Sequence, residues 1–127
     1  MSIDGKWVSD LGSKMEIEVD DDGLMTGIYT TVIGDTQGNY PLVGYVNFAP
    51  DGQSIATIGW VVLWINEKGN DQSVTTWTGQ VQLTEPENGA QVMVTTWLYV
   101  KETQPSENWS STLMGFNTFK RDHSDSA

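Results

Sequence analysis

Apolar and polar residues alternate with a period of two along most of the chain. In Lys14–Val19, for example, Met15, Ile17 and Val19 share one face, and a lysine and two glutamates occupy the other. Strict alternation of this kind is typical of a β-strand with one buried face. Short segments rich in Asp, Asn, Gly and Pro, such as residues 20–23, separate the alternating segments and indicate turns.

Eight segments alternate in this way, and no long window carries the 3.6-residue period of a helix. The pattern therefore predicts an all-β fold without a substantial helix. Eight antiparallel strands in chain order indicate an up-and-down barrel or a two-sheet sandwich, and closure into a barrel leaves no sheet edge exposed. The predicted strands are residues 5–11, 14–19, 24–32, 40–48, 54–65, 73–83, 91–100 and 110–119.

The length of 127 residues predicts one domain, since a domain has roughly 150 residues. We expect a barrel over residues 5–120 and a flexible acidic tail over 121–127. The 6 Lys and Arg against 17 Asp and Glu make the net charge −11, which argues against binding to nucleic acid or to an anionic membrane. No apolar run approaches a membrane span of about 20 residues, and residues 1–5 do not resemble a signal peptide.

Few residues have the chemistry of a catalytic or metal site. The chain has no Cys, and its single His, His123, lies in the expected tail. We therefore expect no catalytic residue, no metal and no cofactor. The alternative is an enzyme, for which the carboxylate clusters are the only candidate catalytic groups. These clusters are Asp20, Asp21 and Asp22 in one predicted turn and Glu85 and Glu87 in another. We interpret both clusters as solvated turn residues.

Six Trp residues are many for a domain of this size. Taken as markers of the inner face, they place Trp60, Trp64, Trp77 and Trp97 inside, and the same faces carry Ser, Thr and Asn near the strand ends. Aromatic walls with a few convergent polar groups are typical of a small-ligand pocket. An eight-stranded barrel has room for one small ligand.

The opposite faces of the last two strands are also apolar. Val92, Val94 and Leu98 share the outer face of one strand, and Met114 and Phe116 share that of the next. A solvated barrel would carry polar residues there, and a continuous apolar patch marks a protein–protein interface. We expect a homo-oligomer assembled through this patch, because one self-complementary surface can pair across a two-fold axis.

Landmark segments across residues 5–119 resemble the avidin and streptavidin family. These segments are GKW at 5–7, LGS at 11–13, LMTGIY at 24–29, GWVVLW at 59–64, SVTTWTGQ at 73–80, TTWL at 95–98 and WSSTLMGFNTF at 109–119. The resemblance implies an eight-stranded up-and-down barrel that binds biotin and biotinylated molecules without catalysis, as a homotetramer. It also implies a secreted or periplasmic protein. Because no signal peptide is visible, a cytoplasmic location is the alternative.

The resemblance assigns roles to individual positions of the biotin site. Ser9, Ser13 and Tyr29 would donate to the ureido oxygen, and Thr31 and Asn117 would accept from the ureido N–H groups. Thr75 would face the ring sulfur, and Ser73 would lie near the carboxylate. The remaining expected contacts are walls at Trp64, Trp77 and Trp97, lining residues Leu11 and Tyr99, a closing loop with Ile33, Gly34, Asp35 and Thr36, and Trp109 of a neighbouring subunit.

Three positions depart from the better-known members of the family. Ser9 stands where Asn is usual, Asn117 matches avidin where streptavidin has Asp, and Tyr99 replaces Leu. Loss of one donor to the ureido oxygen costs about 1–3 kcal/mol, or about 5- to 150-fold in affinity. The alternative function is therefore a barrel with weak biotin affinity that binds another small ligand or serves as an interaction module.

Overall fold

The computed structural model describes residues 2–31, 38–50, 56–65, 72–85 and 90–123. Strands make up most of these residues, and a single 3₁₀ helix accompanies them in the described ranges. The strands are β1 (Gly5–Ser9), β2 (Lys14–Val19), β3 (Leu24–Thr31), β4 (Gly38–Phe48), β5 (Ala56–Leu63), β6 (Ser73–Glu85), β7 (Ala90–Lys101) and β8 (Thr112–Arg121), with the 3₁₀ helix (Pro105–Ser110) between β7 and β8.

The eight strands form one closed antiparallel barrel in chain order. Each strand pairs with the next along the chain, and β8 returns to β1, where Ser9 is the partner of Phe119 and Trp7 the partner of Arg121. Closure leaves neither β1 nor β8 as a free edge. The predicted all-β, eight-stranded up-and-down barrel is thus confirmed, and the two-sheet sandwich is excluded.

The turn between β2 and β3 shows how local side chains direct the chain back. Oδ1 of Asp20 accepts hydrogen bonds from the backbone N–H groups of Asp22 and Leu24, both at 2.9 Å. Gly23 has a φ of +88°, a conformation that side chains disfavour. These residues are the turn that the sequence indicates, and they lie at the end of the barrel opposite the β1–β2 connection.

Strand bounds differ from the predicted ones where side chains bond to nearby backbone. β1 ends at Ser9 and not at residue 11, because the Ser9 hydroxyl oxygen accepts from the N–H groups of Leu11 (3.2 Å) and Ser13 (3.1 Å). Ser110 belongs to the 3₁₀ helix and not to the last strand, since its hydroxyl donates to the carbonyl oxygen of Glu107 at 2.9 Å. Such local bonds compete with the strand ladder.

The core fills the barrel with the inward residues of the alternating pattern. Trp7, Val62, Met93 and Phe119 are completely shielded from solvent. Val92 was expected on the outer apolar patch but is also buried, at 8% exposure. Its cross-strand neighbours are Gln82 and Lys120, which share its face. The apolar stems of long polar side chains can shield an apolar neighbour in this way.

Arg121 closes the end of the barrel away from the β1–β2 turn. Its guanidinium lies 4.4 Å from the ring centroid of Trp7 and donates to the carbonyl oxygens of Asp4 (2.6 Å) and Ser2 (3.0 Å). The barrel therefore includes the first residue of the expected tail, and residues 124–127 lie outside the described part. The described residues include no helix of the length and apolar character needed to cross a membrane.

Candidate functional site

Buried polar side chains gather toward one end of the barrel. This end, which we call the mouth, carries the connections β1–β2, β3–β4, β5–β6 and β7–β8. Polar groups inside a barrel need hydrogen-bond partners or a ligand, since unpaired burial is costly. The buried polar residues of the described ranges are Ser9, Thr31, Ser73, Thr75, Thr95 and Asn117.

A cluster of aromatic rings shares the barrel interior with these polar groups. The ring centroid of Tyr29 is 4.9 Å from that of Trp77 and 5.8 Å from that of Trp64. Trp60 stacks on Trp77 at 5.2 Å with an interplanar angle of 11°, and Phe119 packs edge-on against Trp60. Tilted, edge-on and offset-stacked pairs are favourable arrangements of aromatic rings, and together they form an apolar wall.

Two of the indole N–H groups in this cluster, those of Trp64 and Trp77, have a defined acceptor. Nε1 of Trp64 donates to Oγ1 of Thr75 at 2.7 Å, and Nε1 of Trp77 donates to Oδ1 of Asn117 at 3.3 Å. The side-chain N–H of Asn117 donates in turn to Oδ1 of Asp10 at 3.2 Å. These bonds orient the two rings and leave the Thr75 hydroxyl proton free for another acceptor.

Hydroxyl groups meet where β1, β2 and β3 reach the mouth. The Ser9 oxygen already accepts two backbone N–H groups of the turn, so its proton is what it can offer to a ligand. Burial raises the pKa of Tyr29, a hydrogen bond with Ser13 acts in the opposite sense, and the charge of Asp10 raises the pKa further. The Tyr29 phenol is therefore neutral near pH 7 and able to donate.

Ser73 and Trp60 carry buried polar atoms with no hydrogen-bond partner in the described part of the chain. These atoms are the Ser73 hydroxyl oxygen and the Trp60 indole nitrogen. An unsatisfied buried group costs about 1–3 kcal/mol and calls for an explanation in a native fold. Because Ser73 begins β6 at the mouth, a ligand group reaching that rim would satisfy its hydroxyl.

The other expected site residues lie in different surroundings. Thr31 is buried at the end of β3, whereas Trp97 and Tyr99 are half-buried on β7. Leu11 lies in the turn at the mouth and is 63% exposed, and Trp109 lies in the 3₁₀ helix and is 84% exposed. The expected loop residues Ile33, Gly34, Asp35 and Thr36 lie outside the described residues.

The alternation pattern did not identify Asp10, Tyr40 or Thr95 as site residues. Asp10 follows the end of β1, and side-chain alternation carries no information in a turn. Tyr40 packs edge-on against Trp64 at 4.9 Å, and the Thr95 hydroxyl donates to the carbonyl oxygen of Asn117 at 2.9 Å. The inward position of Thr95 between Met93 and Trp97 was a usable signal, since a hydroxyl among apolar neighbours needs a partner.

A closed eight-stranded barrel with an aromatic wall and convergent polar groups at one mouth defines the class of small-ligand-binding β-barrels. Residues 1–122 match the model of the Avidin family, and the chain belongs to that family. Its members are binding proteins without catalytic activity.

Relatives of known sequence and structure cover nearly the whole chain. Avidin-related protein 4/5 of Gallus gallus is 34% identical over 122 residues, which are 94% of this chain and 77% of that protein. Avidin of Gallus gallus is 34% identical over 125 residues, covering 94% of this chain and 78% of the relative. The crystal structure of Xenavidin superimposes with a TM-score of 0.80 at 33% identity, covering 95% of this chain and 97% of the other.

Proposed function

We propose that this protein binds biotin, without catalysis, in the mouth of its barrel. The observation that carries the proposal is the arrangement of donors and acceptors around one aromatic wall. A cyclic urea presents one carbonyl oxygen flanked by two N–H groups. Donors from Ser9, Ser13 and Tyr29 suit the oxygen, and acceptors on Thr31 and Asn117 suit the N–H groups.

The rest of the biotin molecule suits the apolar wall and the rim. Trp64, Trp77 and Trp97 would enclose the bicyclic ring, with the free Thr75 hydroxyl proton directed at the ring sulfur. The unpaired Ser73 hydroxyl would donate to the tail carboxylate. Leu11 and Tyr99 would border the entrance, and Ile33, Gly34, Asp35 and Thr36 would cover the tail.

Ser9 decides how closely the affinity approaches that of the strongest family members. Its short side chain caps the β1–β2 turn through two accepted bonds, so one donated bond is all it can add. We propose binding that is specific but weaker than with Asn at this position, by about 1–3 kcal/mol, or about 5- to 150-fold. Ser9→Asn would supply a longer amide donor and strengthen binding.

Calorimetric titration with biotin tests the proposal directly. We expect one site per chain, a rise in melting temperature, and a change in Trp fluorescence because Trp64 and Trp77 line the site. Trp77→Ala is the variant expected to lose biotin binding. Trp7→Phe controls for fluorescence changes unrelated to the site, because Trp7 is buried at the closed end of the barrel. If stoichiometric biotin changes neither heat, fluorescence nor melting temperature, the protein binds another small ligand or serves as an interaction module.

We further propose a homotetramer, in which Trp109 of a neighbour covers the mouth. Support comes from the exposed apolar surface on the outer face of β7 and β8, together with the exposure of Trp109 itself. Val94, Leu98, Met114 and Phe116 are 43%, 46%, 63% and 72% exposed. The mass in solution, measured by light scattering, tests this assembly. The family also supports a secreted or periplasmic protein, which fractionation of the source cells would test.

A further inference from the structure

Asp10 lies one residue beyond β1, and its carboxylate is turned toward β8. The backbone N–H of Asp10 donates to the carbonyl oxygen of Thr118 at 3.0 Å. The N–H of Thr118 donates back to Oδ1 of Asp10 at 3.4 Å, and the side-chain N–H of Asn117 donates to the same oxygen at 3.2 Å. The carboxylate is thereby held directly behind a buried residue of the pocket wall.

The two partners of the Asn117 carboxamide have fixed and opposite polarity. On one side the Trp77 indole donates and has no acceptor, and its Nε1 lies 3.3 Å from Oδ1 of Asn117. On the other side the Asp10 carboxylate accepts and, when ionised, has no proton to donate. A rotated carboxamide would place N–H against N–H and oxygen against oxygen, so one orientation satisfies both partners.

We propose that Asp10 is a positioning residue of the ligand site, which holds Asn117 with its carbonyl oxygen toward the pocket. A carbonyl oxygen has two lone pairs, so Asn117 accepts from Trp77 and still accepts from one ligand N–H. The wall thus selects a ligand that donates at this point. The choice of biotin as that ligand rests on the proposed function, whereas the carboxamide orientation is a property of the unligated protein.

A purely structural role for Asp10 makes a different prediction. In that case the carboxylate would tie the β1–β2 turn to β8 through Thr118, and Asn117 would orient itself through Trp77 alone. Removing the carboxylate would then lower the melting temperature without a selective loss of affinity. Changing positions 10 and 117 together distinguishes the two roles. An acceptor at position 117 and a donor at position 10 reverse the hydrogen bond between them, which matters only if Asp10 positions Asn117.

Biotin affinity is measured for Asp10→Ala, Asp10→Asn, Asn117→Asp and the two double variants. Asp10→Ala should weaken binding about tenfold to a hundredfold, since a hydrogen bond to a charged group is lost. Asn117→Asp should also weaken binding, because two carboxylates would then face each other. In that background Asp10→Asn should restore affinity, and more than Asp10→Ala does, because asparagine supplies an N–H to the new carboxylate.

Asp21→Asn is the matched control for the change in net charge. Asp21 is exposed in the β2–β3 turn at the other end of the barrel, and its substitution should leave biotin affinity unchanged. The proposal is overturned if Asp10→Ala retains affinity within about twofold. It is equally overturned if Asp10→Asn lowers affinity both in the wild-type and in the Asn117→Asp background.

Nuclear magnetic resonance of the unligated protein separates this proposal from the proposed function. The side-chain amide protons of Asn117 and the indole proton of Trp77 should shift together in Asp10→Ala. If Asp10→Ala causes those shifts but the wild type does not bind biotin, the proposed ligand is wrong and the positioning role of Asp10 stands. If these resonances are unmoved by Asp10→Ala, Asp10 does not orient Asn117.

Discussion

Removing the Trp109 indole should weaken biotin binding and loosen the assembly at once. Trp109 is 84% exposed in the 3₁₀ helix, although an indole is among the most costly side chains to leave in water. An aromatic side chain buries about 150–250 Å² when covered. At about 25 cal/mol per Å², covering the exposed part in a neighbour's mouth would contribute about 3–5 kcal/mol.

Ordering costs offset part of that gain, so the expected loss for Trp109→Ala is about 2–4 kcal/mol, or about 30- to 1,000-fold in Kd. Trp109→Phe should lose less, because phenylalanine retains part of the apolar area. The assay is competition for labelled biotin, repeated at protein concentrations above and below the dissociation constant of the assembly. Dilution should weaken wild-type binding toward that of Trp109→Ala, because in the proposed assembly the ring comes from a neighbouring subunit and dilution separates the subunits. Full affinity in Trp109→Ala would refute the reasoning and show that each chain closes its own pocket.

Two further predictions concern the outer patch and the buried phenol. Replacing Met114 and Phe116 together by Lys should split the assembly while leaving the barrel folded, as measured by light scattering and circular dichroism; an unchanged mass would place the interface elsewhere. The raised pKa of Tyr29 favours its neutral form in the folded state, so its contribution to stability is complete below the ordinary value of about 10 and is lost as the pH rises through the folded value. Urea unfolding at increasing alkaline pH should therefore show a steeper loss of stability in wild type than in Tyr29→Phe, and equal slopes would contradict this reasoning.

Strand positions and inward faces were predictable because both depend on local pattern. Alternation along the predicted strands 54–65 and 73–83 correctly turns Trp60, Trp64 and Trp77 inward, since successive side chains of a strand point to opposite faces. The turn at residues 20–23 was equally local, because it depends on Asp20 and on a positive φ at Gly23. Prediction was less accurate where Ser9 and Ser110 bond to nearby backbone and end the extended conformation early.

Local sequence pattern could not predict the contacts that organise the site. Asp10 and Asn117 are 107 residues apart and meet because β8 closes against β1. The same closure explains the pairing of Ser9 with Phe119. A family resemblance assigned a role to Asn117, but nothing in the sequence around Asp10 distinguished it from the other acidic turn residues.

Local pattern and composition suffice to predict an all-β chain and an inner face rich in Trp and hydroxyl groups, and they show no Cys and a single His. These properties follow from side-chain chemistry and from the two-residue period of a strand. The folded barrel is needed to establish which polar groups share one mouth, which indole bonds to which acceptor, and which way the Asn117 carboxamide points. These features depend on barrel closure and strand register, because only these bring residues distant in sequence to hydrogen-bond distance.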